Sequence, residues 1–145
     1  MVWLDDLRGQ LVALDTAPLI YFIERHPVYL AQVRPFFQAL DRGELRVETS
    51  TVTLLEVLVH PFRHGDAVLL QQYRDILLNV HGLDTIPVSP AIAEEAARLR
   101  AVHRLLPADA IQLATAINAG AAAFLTNDTG LPRLATPRLL VLDEL

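Results

Sequence analysis

Short apolar runs alternate along this chain with longer stretches in which apolar residues return every three or four positions. Residues 11–14 (Leu-Val-Ala-Leu) are too short for a helix and predict a buried strand. Asp15 and Thr16 follow as cap residues, and an early proline, Pro18, opens a helix over 17–24. Leu30, Val33, Phe36, Phe37 and Leu40 predict a second helix, with Pro35 placed to kink or break it. Alternation over 45–49 predicts a second strand. Ser50 and Thr51 cap a helix over 52–59, which His60-Pro61 is expected to end, leaving 62–65 as a loop. Asp66 caps a helix over 67–79. A third strand covers 83–88, with Pro87 at its end or on an edge. Ser89-Pro90 opens a helix over 91–103, with Ile92, Ala96, Leu99 and Val102 or His103 facing inward. Pro107 opens the next helix, which turns Ala110, Leu113, Ala114 and Ile117 inward and stops near Gly120. Strands over 122–125 and 139–142 complete the chain. Residues 1–10 form a leader, one amphipathic turn with Trp3, Leu4 and Leu7 packing down.

Strands that alternate with helices imply an α/β three-layer sandwich: a mostly parallel central sheet of about 4–5 strands with helices on both faces. At 145 residues, with 52% apolar content, the chain is expected to form one domain with a proper core. The N-terminus lacks the basic and apolar regions of a signal peptide, and the apolar stretch from 113 to 125 is too short to span a membrane. The expectation is a soluble cytoplasmic protein with no membrane association.

Cysteine is absent, which removes disulfides, thiolate metal sites and cysteine nucleophiles. All 12 basic residues are arginine, so a lysine base or Schiff base is excluded too. The net charge of −5 gives no global basic field for nucleic acid. His60 and His64 lie four apart, but a helix broken at Pro61 would misalign them as zinc ligands, and no acid completes such a motif.

Four acids occupy more informative positions. Ligands in open parallel sheets bind beyond the carboxyl ends of the strands. Asp15 follows the first strand, Asp128 follows the fourth, and Glu56 lies on the helix after the second. Asp109 sits in the first turn of its helix and reaches the same edge only if that helix crosses there. Each acid has an ordinary explanation. Asp15 would cap a helix, Asp109 would match a helix dipole, and Asp128 would serve the turn Thr-Asn-Asp-Thr-Gly. Glu56 would be a solvated helix residue, although Leu54, Leu55, Val57 and Leu58 predict a buried neighbourhood. Clustered carboxylates must either hold a proton or bind a cation, and an all-oxygen set without cysteine favours Mg²⁺ or Mn²⁺ over zinc.

The segments Leu14-Asp15-Thr16, Ser50-Thr51-Val52-Thr53-Leu54-Leu55-Glu56-Val57, Leu106-Pro107-Ala108-Asp109-Ala110 and Leu125-Thr126-Asn127-Asp128 resemble the four acidic motifs of the PIN-domain ribonucleases. Within that family they most resemble the VapC toxins of toxin–antitoxin pairs. The resemblance runs from Leu11 to Val141 in the family's order. It implies that Asp15, Glu56, Asp109 and Asp128 bind Mg²⁺ or Mn²⁺, that Thr126 is the hydroxyl residue of the last motif, and that Thr16 is the polar residue after the first acid. It implies an endoribonuclease, a small VapB-like antitoxin as partner, and a homodimer. Helices 52–59 and 67–79 carry enough leucine and valine for a dimer face, or for monomer core. Gly130-Leu131 departs from the aspartate–phenylalanine often found after the last motif, which leaves Asp128 as the sole acid of its loop. Metal-activated water attacking phosphorus would leave a 5′-phosphate and a 3′-hydroxyl. Arg25, Arg63, Arg100 and Arg104 are candidates for RNA contact. The alternatives are a PIN nuclease outside a toxin–antitoxin pair and a partner-binding module without turnover. An aspartyl phosphotransferase is disfavoured, because Ala17 stands where its second aspartate belongs.

Overall fold

Five strands appear in the computed structural model, which describes residues 1–145: β1 (Leu11–Leu14), β2 (Arg46–Ser50), β3 (Leu83–Ile86), β4 (Ala123–Thr126) and β5 (Arg138–Val141). They pair in the order β3-β2-β1-β4-β5, and every pairing is parallel. The central register aligns Ala13 with Glu48 on one side and with Phe124 on the other. Helices α1 (Val2–Asp5), α2 (Thr16–Ile23), α3 (Leu30–Asp41), α4 (Thr51–His64) and α5 (Ala67–Leu78) precede β3; α6 (Pro90–His103) and α7 (Pro107–Ala119) follow it. A 3-10 turn, Leu142–Glu144, ends the chain.

Strand side chains alternate between two cores. Val12, Leu14, Val47, Leu125 and Leu140 join Leu19 of α2, Phe36 of α3, Val57 of α4 and Tyr73 of α5. Ala13, Phe124, Leu139 and Val141 face Ile92, Ala96 and Leu99 of α6 and Ala110, Leu113 and Ala114 of α7. This is the three-layer arrangement expected from the alternation. The second core is rich in alanine, so α7 lies close to the sheet. Burying a residue such as Phe36 or Leu113 contributes about 1.5–3 kcal/mol. Trp3 of the leader stacks on Phe36 with ring centroids 6.5 Å apart, and Leu7 is buried. No helix is long and apolar enough to cross a membrane.

Three local expectations need correction. First, of the kink or break expected at Pro35, the break does not occur, and α3 runs through it from Leu30 to Asp41. Second, α4 continues past His60-Pro61 to His64 and ends at Gly65, whose left-handed φ of 61° suits glycine. Pro61 is buried there, so packing offsets the backbone hydrogen bond that proline forfeits. The continuous helix therefore aligns His60 and His64, with ring centroids 4.2 Å apart, yet no third ligand joins them. Third, the last turn of α6 faces solvent, with Val102 73% exposed and His103 exposed as well. The third strand stops at Ile86, just before Pro87, and lies on a sheet edge as the proline implied.

Candidate functional site

The sheet order reverses at β1. From there the chain builds outward through β2 and β3 on one side, then through β4 and β5 on the other. Helices connecting the strands on opposite faces splay apart at such a reversal and leave a crevice at the carboxyl ends. Asp15 sits at that point. Its backbone N–H bonds the Leu125 carbonyl at 2.9 Å, which ties the end of β1 to β4.

The Asp15 side chain is held by two donors. Oδ1 accepts from the backbone N–H of Thr16 at 2.8 Å, as the N-cap of α2. Oδ2 accepts from Thr126 Oγ1 at 2.7 Å. Thr126 is fully buried at the end of β4, and its oxygen in turn accepts the backbone N–H of Asp128 at 3.0 Å. One hydroxyl thus joins the first acid to the loop of the last. Burial raises the Asp15 pKa above its ordinary value; its two donors oppose this, while Asp109 and Glu56 push it further up.

Asp109 is half-buried in the first turn of α7. Burial also raises its pKa, with the charges of Asp128 and Glu56 adding to the effect. Gln112, one turn past Asp109, donates to Thr16 and Thr53, which sets the start of α7 beside α2 and α4 at that end of the sheet. Asp128 is exposed, and its Oδ1 accepts from the backbone N–H of Gly130 at 2.8 Å. A Cβ on Gly130 would lie 3.1 Å from that same oxygen, so the glycine makes room for the turned carboxylate. The neighbouring Leu131 is buried in the second core and anchors the loop. Glu56 departs from expectation in part: it and Leu55 are exposed, whereas Val57 is buried and Leu54 and Leu58 pack against the first core. Its Oε1 accepts from Thr16 Oγ1 at 2.7 Å, which turns it toward the first acid.

The three ion pairs of the protein, Arg8–Asp5, Arg98–Glu95 and Arg133–Glu144, all lie elsewhere, so no arginine neutralises the four acids. Such a set demands protons or a cation. Its donors are all oxygen, the chemistry that suits Mg²⁺ or Mn²⁺. No three of the side chains are gathered closely enough to chelate an ion as they stand. Arg25, Arg63, Arg100 and Arg104 are exposed. Arg25 and Arg104 hold left-handed backbones with φ of 54° and 56°, and Arg100 Nε donates to the Leu105 carbonyl at 2.9 Å.

Sequence reasoning missed the polar layer beneath the acids. Gln112 is 3% exposed, and Thr53 and Thr49 are buried; together with Thr16 they form one hydrogen-bonded group. The signal was present in the spacing. Gln112 follows Asp109 by three residues and Thr53 precedes Glu56 by three, so each is one helical turn from its acid. Asn127 was also missed as a tether. It donates to Tyr21 Oη at 3.3 Å and accepts from the Asp143 backbone N–H at 3.2 Å, which fixes the loop before Asp128.

Residues 12–137 match the family model described as PIN domain. No curated protein sequence matches the chain significantly. Among solved structures, VapBC2 from Rickettsia felis, bound to a DNA fragment from their promoter, is similar with a TM-score of 0.71 and 20% identity; the match covers 90% of this chain and 98% of that one. A toxin–antitoxin complex from Klebsiella pneumoniae gives 0.68 and 24%, covering 90% and 97%. DNA-bound VapBC from Salmonella typhimurium gives 0.59 and 16%, covering 92% and 98%. At these identities the likeness is one of fold.

Proposed function

The chain belongs to the PIN-domain family, and from that premise we propose that it is a metal-dependent endoribonuclease, the toxin of a toxin–antitoxin pair. The observation that carries the catalytic half is the set of four acids at the β1/β4 crevice, which lacks a cationic side chain. Asp15, Asp109 and Asp128 would hold a divalent cation, with Glu56 ligating through water or orienting the attacking water. When bound, Mg²⁺ or Mn²⁺ polarises water and offsets charge on the phosphoryl oxygens. Thr126 fixes the direction of Asp15, and the Thr16 hydroxyl fixes Glu56. Gly130 leaves room for the Asp128 carboxylate, and its backbone N–H holds Oδ1. The products are a 5′-phosphate and a 3′-hydroxyl, with no role for the ribose 2′-hydroxyl as nucleophile.

The solved structures of similar fold include complexes of VapB with VapC and a toxin–antitoxin complex, which supports a small VapB-like antitoxin as partner. A second copy of the chain is the other partner. On α4 and α5, Val57, Tyr73, Ile76 and Leu77 are core, whereas Leu55 and Phe62 remain 66% and 65% exposed at helical spacing with Val59 between them. Light scattering across micromolar concentrations should give twice the chain mass; a monomer throughout would remove the dimer.

The test of the catalytic reading is cleavage of structured and single-stranded RNAs by wild type and Asp109→Asn in Mg²⁺, Mn²⁺ and EDTA, with end-group analysis. Metal-dependent cuts carrying 5′-phosphates, absent in the variant, support it. Equal, EDTA-resistant cleavage by both proteins would sink it.

A further inference from the structure

Glu56 is exposed, and Thr16 Oγ1 is its one hydrogen-bond partner in the protein. A threonine hydroxyl carries a single hydrogen. Whether Thr16 spends that hydrogen on Glu56 depends on the group behind it, the amide of Gln112. Gln112 lies on α7 one turn past Asp109, and its Nε2 donates to Thr16 Oγ1 at 3.1 Å and to Thr53 Oγ1 at 2.5 Å. An amide nitrogen has two hydrogens and no lone pair to offer. Both threonine oxygens must therefore accept from it; of the two acceptors then in reach of the Thr16 hydrogen, Thr53 Oγ1 at 3.1 Å and Glu56 Oε1 at 2.7 Å, the nearer and charged carboxylate takes it. With the amide turned over, its oxygen would take the Thr16 hydrogen and Glu56 would lose its donor. The orientation is supported from the strand side, where Thr49 Oγ1 lies 2.9 Å from Thr53 Oγ1 and donates to the Leu14 carbonyl at 2.8 Å. Gln112, Thr49 and Thr53 are buried, so the bonds among them count for more than at the surface, while Thr16 is half-buried and carries their orientation out to the exposed Glu56.

We propose that Gln112 is a positioning residue: acting through Thr16, its amide holds Glu56 turned toward Asp15 and so completes the acidic crevice from α7, the helix that also carries Asp109. This rests on the reading of the crevice as a divalent-ion site, and it adds a residue and a direction of hydrogen bonding to that reading.

The test is Mn²⁺ titration of the full chain, followed by calorimetry or by electron paramagnetic resonance of the free ion. It compares wild type with Gln112→Met, Thr16→Val, the double variant and Thr16→Ser. Outer partners of metal ligands typically contribute about 10–100-fold in affinity. Gln112→Met and Thr16→Val should each weaken Mn²⁺ binding about 10-fold. The double variant should be no weaker than Thr16→Val alone, and Thr16→Ser should bind like wild type. A Gln112→Met variant that melts earlier but binds Mn²⁺ normally would overturn the proposal, and so would losses that add in the double variant. If Gln112→Met fails to fold, the half-buried Thr16→Val against Thr16→Ser still tests the link, and equal affinities for those two would overturn it. Failure of wild type to bind Mn²⁺ at all is a different result, which strikes the ion-site reading itself.

Discussion

Asp15, just past the end of β1, and Glu48, inside the adjacent β2, are both desolvated, but only Asp15 has donors. Asp15 closes β1 at the crevice, where Thr126 Oγ1 and the Thr16 N–H each donate to it. Glu48 sits inside β2, opposite Ala13 and beside Asp84, only 2% exposed, and its Oε1 has no hydrogen-bond partner. Burial, reinforced by the charge of Asp84, pushes Glu48 up to about 7. Burial raises the pKa of both acids, but two donors oppose the rise at Asp15 and none does at Glu48. The contrast teaches that burial of an acid does not mark a site. Donors aimed at it, with further acids beside it, do.

Exchanging the two carboxylates for amides sets the contrast most sharply. Asp15→Asn should cut RNA cleavage on the order of 100-fold or more, measured under single-turnover conditions. Glu48→Gln should leave cleavage near wild type. A comparable loss in Glu48→Gln would erase the distinction.

Glu48 should also show in the pH dependence of stability. Glu48 is protonated in both the folded and unfolded states below its ordinary pKa of 4.5, and there its contribution is fully present. Between 4.5 and about 7 the unfolded chain ionises while the folded one keeps its proton, so stability falls as pH rises and levels off above about 7. The loss is on the order of 3 kcal/mol. Urea melts across this range should show that fall in wild type and a flatter line in Glu48→Gln. Identical slopes would mean that Glu48 is not held up by its surroundings.

Thr126→Val removes one donor from Asp15 and makes it more like Glu48. Cleavage should drop about 10–100-fold, with Thr126→Ser close to wild type. The smallest effect is expected from Gly130→Ala. Its Cβ would press on Asp128 Oδ1 and shift that carboxylate by a few tenths of an ångström, lowering cleavage by roughly 10-fold or less. A crystal structure of the variant would show whether Asp128 or the loop yields.

The fold was legible because strand alternation and helical spacing survive tertiary packing. Buried runs such as Val12-Ala13-Leu14 and Ala123-Phe124-Leu125 were legible as strands, whereas their pairing and register emerge only from the fold. Pro61 misled, since its burial offsets the lost hydrogen bond where local preference would end the helix, and α3 likewise runs through Pro35 without a break. Asp15 and Asp128 could be placed by topology, because both follow strands directly. Asp109 could not, since its approach depends on how α7 packs over alanines at the sheet. Glu56 was misjudged because Leu54, Leu55, Val57 and Leu58 surround it in sequence on both faces of α4, and only packing decides which face is buried. Gln112 and Thr53 were invisible as parts of the site because amides and hydroxyls serve many roles, and only the fold shows what they touch.

Mn²⁺ titration of the four single amide variants Asp15→Asn, Glu56→Gln, Asp109→Asn and Asp128→Asn, alongside Glu48→Gln, tests most directly whether four acids make one ion site. We expect each of the four to weaken binding while Glu48→Gln matches wild type. Wild type without measurable Mn²⁺ affinity, or a Glu48→Gln loss as large as the others, would contradict it.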